Sequence, residues 1–224
     1  MSIHKLSYWK LPGRAEASRL ALHCSGLNWE NHILNRETWS ILKESLLPTL
    51  PQVNIPLLEV DGKYLVESNA ILRYIGSEGG LMPIDNWERA KIDEAIQMTE
   101  EIWIAYKPTF AIKDENERYA ARVAICAVDG NLWKVMMKIN IFCKNLNNGN
   151  HFISTTGELS IGDIAIFAAT IQPCSGWMDG IPIDFLNQFI YLSIYNKKVG
   201  THSIVSTRYK NSIDPFHKAF QFEE

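Results

Sequence analysis

Three short segments in the N-terminal third of the chain combine residue types that could bind and activate a small anionic ligand. In the first, Tyr8 closes a segment with strand composition, and Pro12-Gly13-Arg14 follows at the start of a helical pattern. A phenolic hydroxyl near a helix N-terminus can donate a hydrogen bond to an anion, and the positive end of the helix dipole favours the same anion. On these residues alone, an ordinary core tyrosine is the simpler interpretation.

The second segment, Asn54-Ile55-Pro56, opens a strand pattern. The bond before a proline can be cis, and a cis bond here would present the backbone of Ile55 to a ligand. An extended, peptide-like ligand could then pair with that backbone as an added strand does. The alternative is a trans proline at the start of an edge strand, which the residues alone favour.

The third segment, Glu67-Ser68, lies at the start of another helical pattern. Ser68 is the predicted N-cap, and the backbone amides of a first helical turn suit a carboxylate. Glu67 could accept a hydrogen bond from an ammonium group. The pair therefore suits an α-amino acid group, which carries both charges. The simpler alternative is a helix cap beside a solvated glutamate.

Strand and helix patterns alternate around these three segments. Two of the strands are joined by Asp61-Gly62, a strong hairpin-turn pair, and the order of elements indicates a mixed sheet with helices. The predicted strands are Ile3–Trp9, Trp29–Leu34, Pro56–Val60 and Lys63–Val66. Two predicted helices end at Gly26 and Gly76, and Trp39–Leu47 is a short piece that is either helical or irregular.

Beyond a predicted linker, Ser77–Asp85, the patterns are helical only. Tyr119–Asn145 is predicted as one long helix, either straight or bent near Gly130. Ser160-Ile161-Gly162-Asp163 fits a capping box with Asp in the place of Glu or Gln. We therefore predict an α/β domain over residues 1–79, an all-helical domain over residues 86–210, and a tail over residues 211–224.

The composition excludes several classes of function. The chain has 224 residues and a formal net charge of −3, so it offers no basic face for a general nucleic-acid binder. No apolar run approaches the ~18 residues of a membrane span, and the first strand pattern begins too close to Met1 for a signal peptide. The four cysteines and six histidines are scattered, so we expect free thiols, no metal and a reducing, cytoplasmic location.

The order of these features resembles the cytosolic glutathione transferases, most closely the sigma class, which includes the glutathione-dependent prostaglandin D synthases. The resemblance is closest over residues 3–76 and extends more loosely over residues 87–180. The residues that carry it are Lys5-Leu6-Ser7-Tyr8, Gly13-Arg14-Ala15-Glu16, Trp39 with Lys43, Ile55–Gly62, Glu67-Ser68-Asn69-Ala70-Ile71, Arg73-Tyr74 and Ser160–Phe167.

The resemblance implies a thioredoxin-like first domain that binds glutathione as cosubstrate, a helical second domain that completes a pocket for an apolar electrophile, and a homodimer. Tyr8 would donate a hydrogen bond to the glutathione sulfur, and Arg14 would support the thiolate. A free thiol has a pKa of ~8.5 and is little ionised at pH 7, so such stabilisation would create the nucleophile.

The resemblance also assigns the remaining contacts. Trp39 and Lys43 would hold the glycine end of glutathione. The backbone of Ile55, before a cis Pro56 and next to Val53 and Asn54, would hold the cysteinyl unit, and Glu67 and Ser68 would hold the γ-glutamyl group. Glu101, beside Glu100, would reach the glutathione of the partner subunit. The electrophile pocket would be lined by Trp9, Leu11, Trp103, Tyr106, Lys107 and Phe110.

Some features depart from the class pattern. Glu67 stands where this class usually has Gln, and the stretch 45–52, on the rim of the glutathione site, is a few residues longer. The tail carries three phenylalanines, which would either fold over the electrophile pocket or belong to a disordered end.

The implied activity is conjugation of glutathione to electrophiles, as in detoxification. A glutathione-dependent isomerase or peroxidase would use the same thiolate. A non-catalytic binder of hydrophobic ligands, or a crystallin-like protein, is an alternative of another class, but it would need neither Tyr8 nor Arg14. A thioredoxin-fold redox enzyme would need a cysteine near residue 11, and the sequence has none there.

Overall fold

The structure is a computed structural model that describes residues 2–50 and 52–223. The chain divides into two compact units, residues 1–82 and 83–224, and the division falls inside the predicted linker.

The first unit is a four-stranded mixed sheet with three helices. The strands are β1 (His4–Trp9), β2 (Trp29–Leu34), β3 (Leu57–Val60) and β4 (Lys63–Leu65), and the helices are α1 (Glu16–Ser25), α2 (Arg36–Leu46) and α3 (Ser68–Glu78). The strand order is β2-β1-β3-β4, in which only β1 and β2 pair in parallel. The predicted thioredoxin-like domain with a mixed sheet is confirmed.

The register of β1 decides which distant residues become neighbours. Ser7 lies opposite Leu57 at the start of β3, and Tyr8 lies opposite Ile33 of β2. The end of β1 therefore meets the beginning of β3, because these two strands run antiparallel. Beneath the sheet, α1 packs against α3.

The second unit consists of helices, as predicted. They are α4 (Asn86–Tyr106), α5 (Glu115–Cys126), α6 (Asn131–Asn145), α7 (Ile161–Ile171), α8 (Ile190–Gly200) and α9 (Ser203–Tyr209), with 3₁₀ segments at Lys107–Ala111, Gln172–Cys174, Phe185–Gln188 and Pro215–Phe220. Helix α7 is buried along its whole length and packs against α4 and α8.

A capping box begins α7, as the sequence predicts. Ser160 accepts from the backbone N–H of Asp163, and the Asp163 carboxylate accepts from the backbone N–H of Ser160 at 2.7 Å. The same carboxylate is fully buried and also accepts from the N–H of Ile153 at 2.9 Å and from the hydroxyl of Tyr195. The cap therefore joins the start of α7 to the preceding loop and to α8.

The prediction of one continuous helix over Tyr119–Asn145 is wrong, because the chain breaks between α5 and α6, next to the expected bend at Gly130. Ala127 is extended, and Asp129 has a positive φ of 65°. Gly130 allows a close approach there: a Cβ at this position would lie 2.5 Å from the carbonyl oxygen of Ile125. Gly130 marked the place of the irregularity in the sequence, but the structure has an interruption of the helix there and not a bend.

The tail is folded against the second unit. Phe220 is fully buried and stacks on Tyr209 of α9 with ring centroids 5.0 Å apart. Its ring also meets Phe167 of α7 edge to face, and Gln221 donates to the carbonyl oxygen of Tyr209 at 2.9 Å. The described part of the tail therefore packs on α7 and α9.

Candidate active site

Tyr8 and Arg14 meet directly at the end of β1. The backbone N–H of Arg14 donates to the hydroxyl oxygen of Tyr8 at 3.2 Å. Tyr8 is buried, with 8% of its surface exposed. Because the amide uses an acceptor position of the phenolic oxygen, the phenolic proton is left for a different acceptor.

The pKa of Tyr8 is raised above its ordinary value of 10.0. Burial is the largest cause, since it disfavours the charged phenolate. The Arg14 hydrogen bond and the positive charges of Arg19 and Arg14 oppose that effect without cancelling it. Tyr8 therefore stays a neutral hydrogen-bond donor at physiological pH, rather than a phenolate base.

The loop between β1 and α1 is held by a buried arginine that sequence reasoning missed. Arg19 of α1 donates to three backbone carbonyls at the end of β1 and in the loop, at 2.9 Å to Trp9, 2.8 Å to Leu11 and 3.3 Å to Pro12. The apolar spacing in α1 drew attention to its hydrophobic positions, but Glu16 and Arg19 are buried as well. A charged residue inside an apolar helical face was the signal that could have found it.

Arg14 also connects the first and third predicted segments. Its guanidinium donates to the hydroxyl of Ser68 at 3.1 Å, across 54 positions of sequence. This contact places a cation at the beginning of α3, where backbone N–H groups already favour an anion.

The start of α3 differs from the prediction. Glu67, not Ser68, occupies the N-cap position, and its side chain makes no capping hydrogen bond. Glu67 has a positive φ of 73°, an uncommon conformation for this residue type. Its carboxylate accepts from the side-chain amide of Gln52 at 3.2 Å, so the stretch that precedes the cis proline contributes a contact that the sequence did not predict. Pro51 lies outside the described residues.

The second predicted segment leads into the middle of the sheet. The bond between Ile55 and Pro56 is cis. The alternative of a trans proline on an edge strand is wrong, because β3 lies between β1 and β4. Val53 is buried with Leu57, so only its backbone groups remain for a ligand, whereas Asn54 is exposed.

Helix α2 carries the two residues predicted for the glycine end of glutathione. Trp39 is half-buried, and its ring meets that of Trp9 edge to face with centroids 6.4 Å apart. Lys43 is exposed one turn further on. Leu11, the other pocket residue predicted in this unit, is half-buried in the loop that Arg19 holds.

The pocket residues predicted in the second unit form one aromatic cluster. The rings of Trp103 and Tyr106 lie 5.0 Å apart, and those of Tyr106 and Phe110 lie 5.8 Å apart. Trp177, which the sequence did not single out, stacks on Phe110 at 6.0 Å. Tyr106 is fully buried, so it supports the cluster from behind, and Lys107 is exposed.

Arg122 holds this cluster from the other side. Its guanidinium lies over the ring of Phe110, with 5.5 Å to the centroid, and donates to the hydroxyl of Thr109 at 3.1 Å. It also pairs with Asp179, two residues beyond Trp177. The ion pair therefore fastens the loop that brings Trp177 onto Phe110.

Comparison with known proteins finds relatives along most of the chain. Residues 4–77 match the family of glutathione S-transferase N-terminal domains. Over 207 residues the chain is 30% identical to "Glutathione S-transferase 1" of Ascaris suum, in a match that covers 89% of this chain and 91% of that protein. The chain belongs to the glutathione S-transferase family.

Two further relatives of this glutathione S-transferase carry a different name. "Hematopoietic prostaglandin D synthase" of Gallus gallus is 34% identical over 106 residues, which are 47% of this chain and 51% of that protein. The solved structure of prostaglandin synthase D of Nilaparvata lugens has a TM-score of 0.76 and 25% identity, and the match covers 93% of this chain and 98% of that one. The predicted family and the prediction of an enzyme are confirmed.

In this glutathione S-transferase, Glu101 pairs with Lys138 of the same chain. Glu100 and Glu101 are both half-buried. Among residues 2–50 and 52–223, no three His, Cys, Asp or Glu side chains gather into a possible metal site. Within the same residues, no helix is both long and apolar enough to cross a membrane.

The four cysteines of the glutathione S-transferase are free thiols. Burial raises the pKa of Cys126 to about 11 and that of Cys174 to about 12, and raises the pKa of Cys143 as well. These three thiols are therefore protonated at neutral pH and unsuited to nucleophilic attack.

Proposed function

We propose that this glutathione S-transferase uses Tyr8 to stabilise the glutathione sulfur as a thiolate, which attacks electrophilic and mostly apolar substrates. The observation that carries the proposal is the hydrogen bond from the Arg14 amide to the Tyr8 oxygen. It fixes the hydroxyl and leaves its proton to donate to a sulfur. Glutathione supplies the nucleophilic sulfur when bound.

The same region fits the two charges of a γ-glutamyl group. The N-terminal turn of α3 and the Arg14 guanidinium at Ser68 form a positive site for the α-carboxylate. The carboxylate of Glu67 is placed to accept from the α-ammonium. The proposal therefore keeps Glu67 and Ser68 as ligands, although Ser68 is not the helix cap.

The remaining ligand assignments complete the proposal. In it, Trp39 and Lys43 hold the glycine end, and the backbone around the cis Pro56, with Val53, Asn54 and Ile55, holds the cysteinyl unit. Trp9, Leu11, Trp103, Lys107 and Phe110 serve the electrophile, and the buried Tyr106 supports Trp103 and Phe110 from behind. Glu101 reaches the glutathione of a partner in a homodimer, which would require it to leave Lys138.

In the proposed reaction the thiol proton is lost to solvent, the thiolate forms a carbon–sulfur bond, and the leaving group departs with the bonding electrons. Tyr8 donates to the sulfur before the bond forms, and the Arg14 charge lowers the free energy of the thiolate. We assign the enzyme to the sigma class and to detoxification in the cytoplasm on the residues that carry the resemblance.

The test compares the wild-type protein with Tyr8→Phe, using glutathione and a chlorodinitrobenzene-type electrophile. If Tyr8 shifts the thiol pKa by one or two units, Tyr8→Phe should lower kcat/KM roughly ten- to a hundredfold near neutral pH. Tyr119→Phe is the control, because Tyr119 is exposed on α5 and should change nothing. Full activity in Tyr8→Phe would refute the proposed role.

A second candidate function is a glutathione-dependent isomerase or peroxidase. It is favoured by the similarity to proteins named prostaglandin D synthase. Prostaglandin H and a lipid hydroperoxide, added to the same assay panel, distinguish these activities from conjugation. Whichever substrate gives the highest kcat/KM identifies the main reaction, and Tyr8→Phe should lower all three.

A further inference from the structure

We propose that Arg19 is a positioning residue for thiol activation, because it holds the loop that joins Tyr8 to Arg14 and places its charge against the Tyr8 ring. The inference rests on the proposed function of Tyr8. It assigns a role to a residue that touches neither the proposed sulfur position nor, in the proposal, any part of glutathione.

The loop between β1 and α1 is held by hydrogen bonds to the Arg19 guanidinium. Trp9, Leu11 and Pro12 each direct a carbonyl oxygen at one guanidinium, within 2.8 to 3.3 Å. Buried carbonyls need donors, and only a planar, forked group can serve three carbonyls and a further acceptor together. The next two residues along the chain are Gly13 and Arg14, whose amide holds the Tyr8 hydroxyl.

Arg19 is itself fixed in position by burial and by contacts with Asn31 and Glu16. It is 4% exposed, and its Nε donates to the side-chain oxygen of Asn31 on β2 at 3.0 Å. The Glu16 carboxylate, fully buried, lies 3.5 Å from the same guanidinium and offsets its charge. Arg19 therefore ties the loop to α1 and to the neighbouring strand at once.

The Arg19 guanidinium also lies over the ring of Tyr8. The Arg19 guanidinium carbon lies 5.6 Å from the centroid of the Tyr8 ring. A positive charge here strengthens the hydroxyl as a donor, because it favours negative charge developing on the phenolic oxygen. The Arg19 charge lowers the pKa of Tyr8 more than the Arg14 charge does, in the direction opposite to burial.

The test uses Arg19→Lys, which keeps a charge but cannot bond three carbonyls in a fork. We expect the ascending limb of the kcat/KM profile to move to higher pH by about one unit, equivalent to about a tenfold loss at a fixed pH below it. The KM for glutathione should change much less than kcat. Ser18→Ala is the matched control at the adjacent buried position: the Ser18 hydroxyl has no hydrogen-bond partner within the described part of the chain, so the profile should not move.

A double-mutant cycle with Tyr8→Phe separates positioning from general destabilisation. If Arg19 acts through Tyr8, Arg19→Lys should cost little further activity once the hydroxyl is gone, so the two losses should not multiply. Losses that multiply, or a lower unfolding temperature with an unmoved pH profile, would overturn the inference. Full activity of Tyr8→Phe alone would instead refute the proposed function.

Asn31→Ala keeps the test decisive if Arg19→Lys does not fold. It removes only the acceptor of Arg19 Nε and leaves the guanidinium in place. We expect a smaller shift of the profile in the same direction, with a loss of about two- to threefold, as for one hydrogen bond. A folded Asn31→Ala protein with an unshifted profile would count against the inference.

Discussion

A methyl group at position 13 would stand 2.6 Å from the hydroxyl oxygen of Tyr8. Gly13 also has a positive φ of 48°, which residues with a side chain rarely adopt. The glycine therefore serves the tyrosine in two ways: it lets the loop turn, and it leaves the space that the hydroxyl occupies.

Gly13→Ala should consequently lower both stability and activity. The positive φ costs roughly 1–2 kcal/mol and the overpacking a further ~1–3 kcal/mol in the free energy of unfolding. Gly62→Ala is the control, because Gly62 has a φ of 74° but no atom within 4 Å of its missing Cβ. Denaturant unfolding and kcat/KM should show a larger loss for Gly13→Ala. Equal losses would mean that the contact with Tyr8 does not matter.

Phe110→Ala should weaken use of aromatic electrophiles without affecting glutathione. Phe110 is 47% exposed and presents a ring stacked on Trp177, so its removal takes away a contact surface more than a core residue. An aromatic pair contributes ~0.5–1.5 kcal/mol, so the KM for an aromatic electrophile should rise roughly two- to tenfold. Phe216→Ala, in the half-buried part of the tail, is the control. A rise in the KM for glutathione instead would contradict the assignment.

The buried thiols should make the protein less stable at alkaline pH. Cys174 has a pKa raised to about 12, so the folded state keeps its proton while an unfolded thiol, with a pKa of ~8.5, loses it. The contribution of the thiol to the free energy of unfolding is complete at a pH below its pKa in the unfolded state. As the pH rises towards the pKa in the folded state, the contribution falls by at most ~1.4 kcal/mol per pH unit.

Chemical denaturation of wild type and Cys174→Ala at pH 8 and pH 10 measures that contribution. The variant should lose less stability between the two values than the wild type does. Val205→Ala, another truncation of a buried side chain but without a titrating group, should keep the wild-type slope. If Cys174→Ala lost as much stability between pH 8 and pH 10 as the wild type, the pKa of this thiol would be the same in the folded and unfolded states.

Phe220→Ala should destabilise the second unit, because the ring is fully buried against Tyr209 and Phe167. The expected cost is ~3–5 kcal/mol in the free energy of unfolding. Ile213→Ala is the control in the same tail, since Ile213 is 100% exposed and should change stability by less than about 0.5 kcal/mol. A Phe220→Ala protein as stable as Ile213→Ala would show that the tail is not part of the folded unit.

The sequence predicted the sheet well because local signals decide it. Strand β2 has the predicted ends, and the Asp61-Gly62 pair joins β3 to β4. The capping box at Ser160 and Asp163 also depends on residues three apart. The cap of α3 was missed because Glu67 adopts a positive φ, which no local rule assigns to glutamate.

The candidate site was predicted only in part, for a similar reason. Arg14 brings two of the predicted segments together, through its hydrogen bonds with Tyr8 and with Ser68. Arg19 and Trp177 were missed because their importance lies in contacts with carbonyls and rings that tertiary packing brings together. Residue type and spacing carry no record of such contacts.

The pairing of β1 with β3 joins Tyr8 to the cis proline without any contribution from the described part of the stretch 45–52. Tyr8 lies near the end of β1, and the cis proline Pro56 lies directly before β3. The pairing of Ser7 with Leu57 holds these two positions next to each other. The stretch 45–52, as far as the structure describes it, takes no part in that strand pairing. A substitution in this stretch, at Gln52 for example, can therefore change the contact with Glu67 and leave the pairing of β1 with β3 intact.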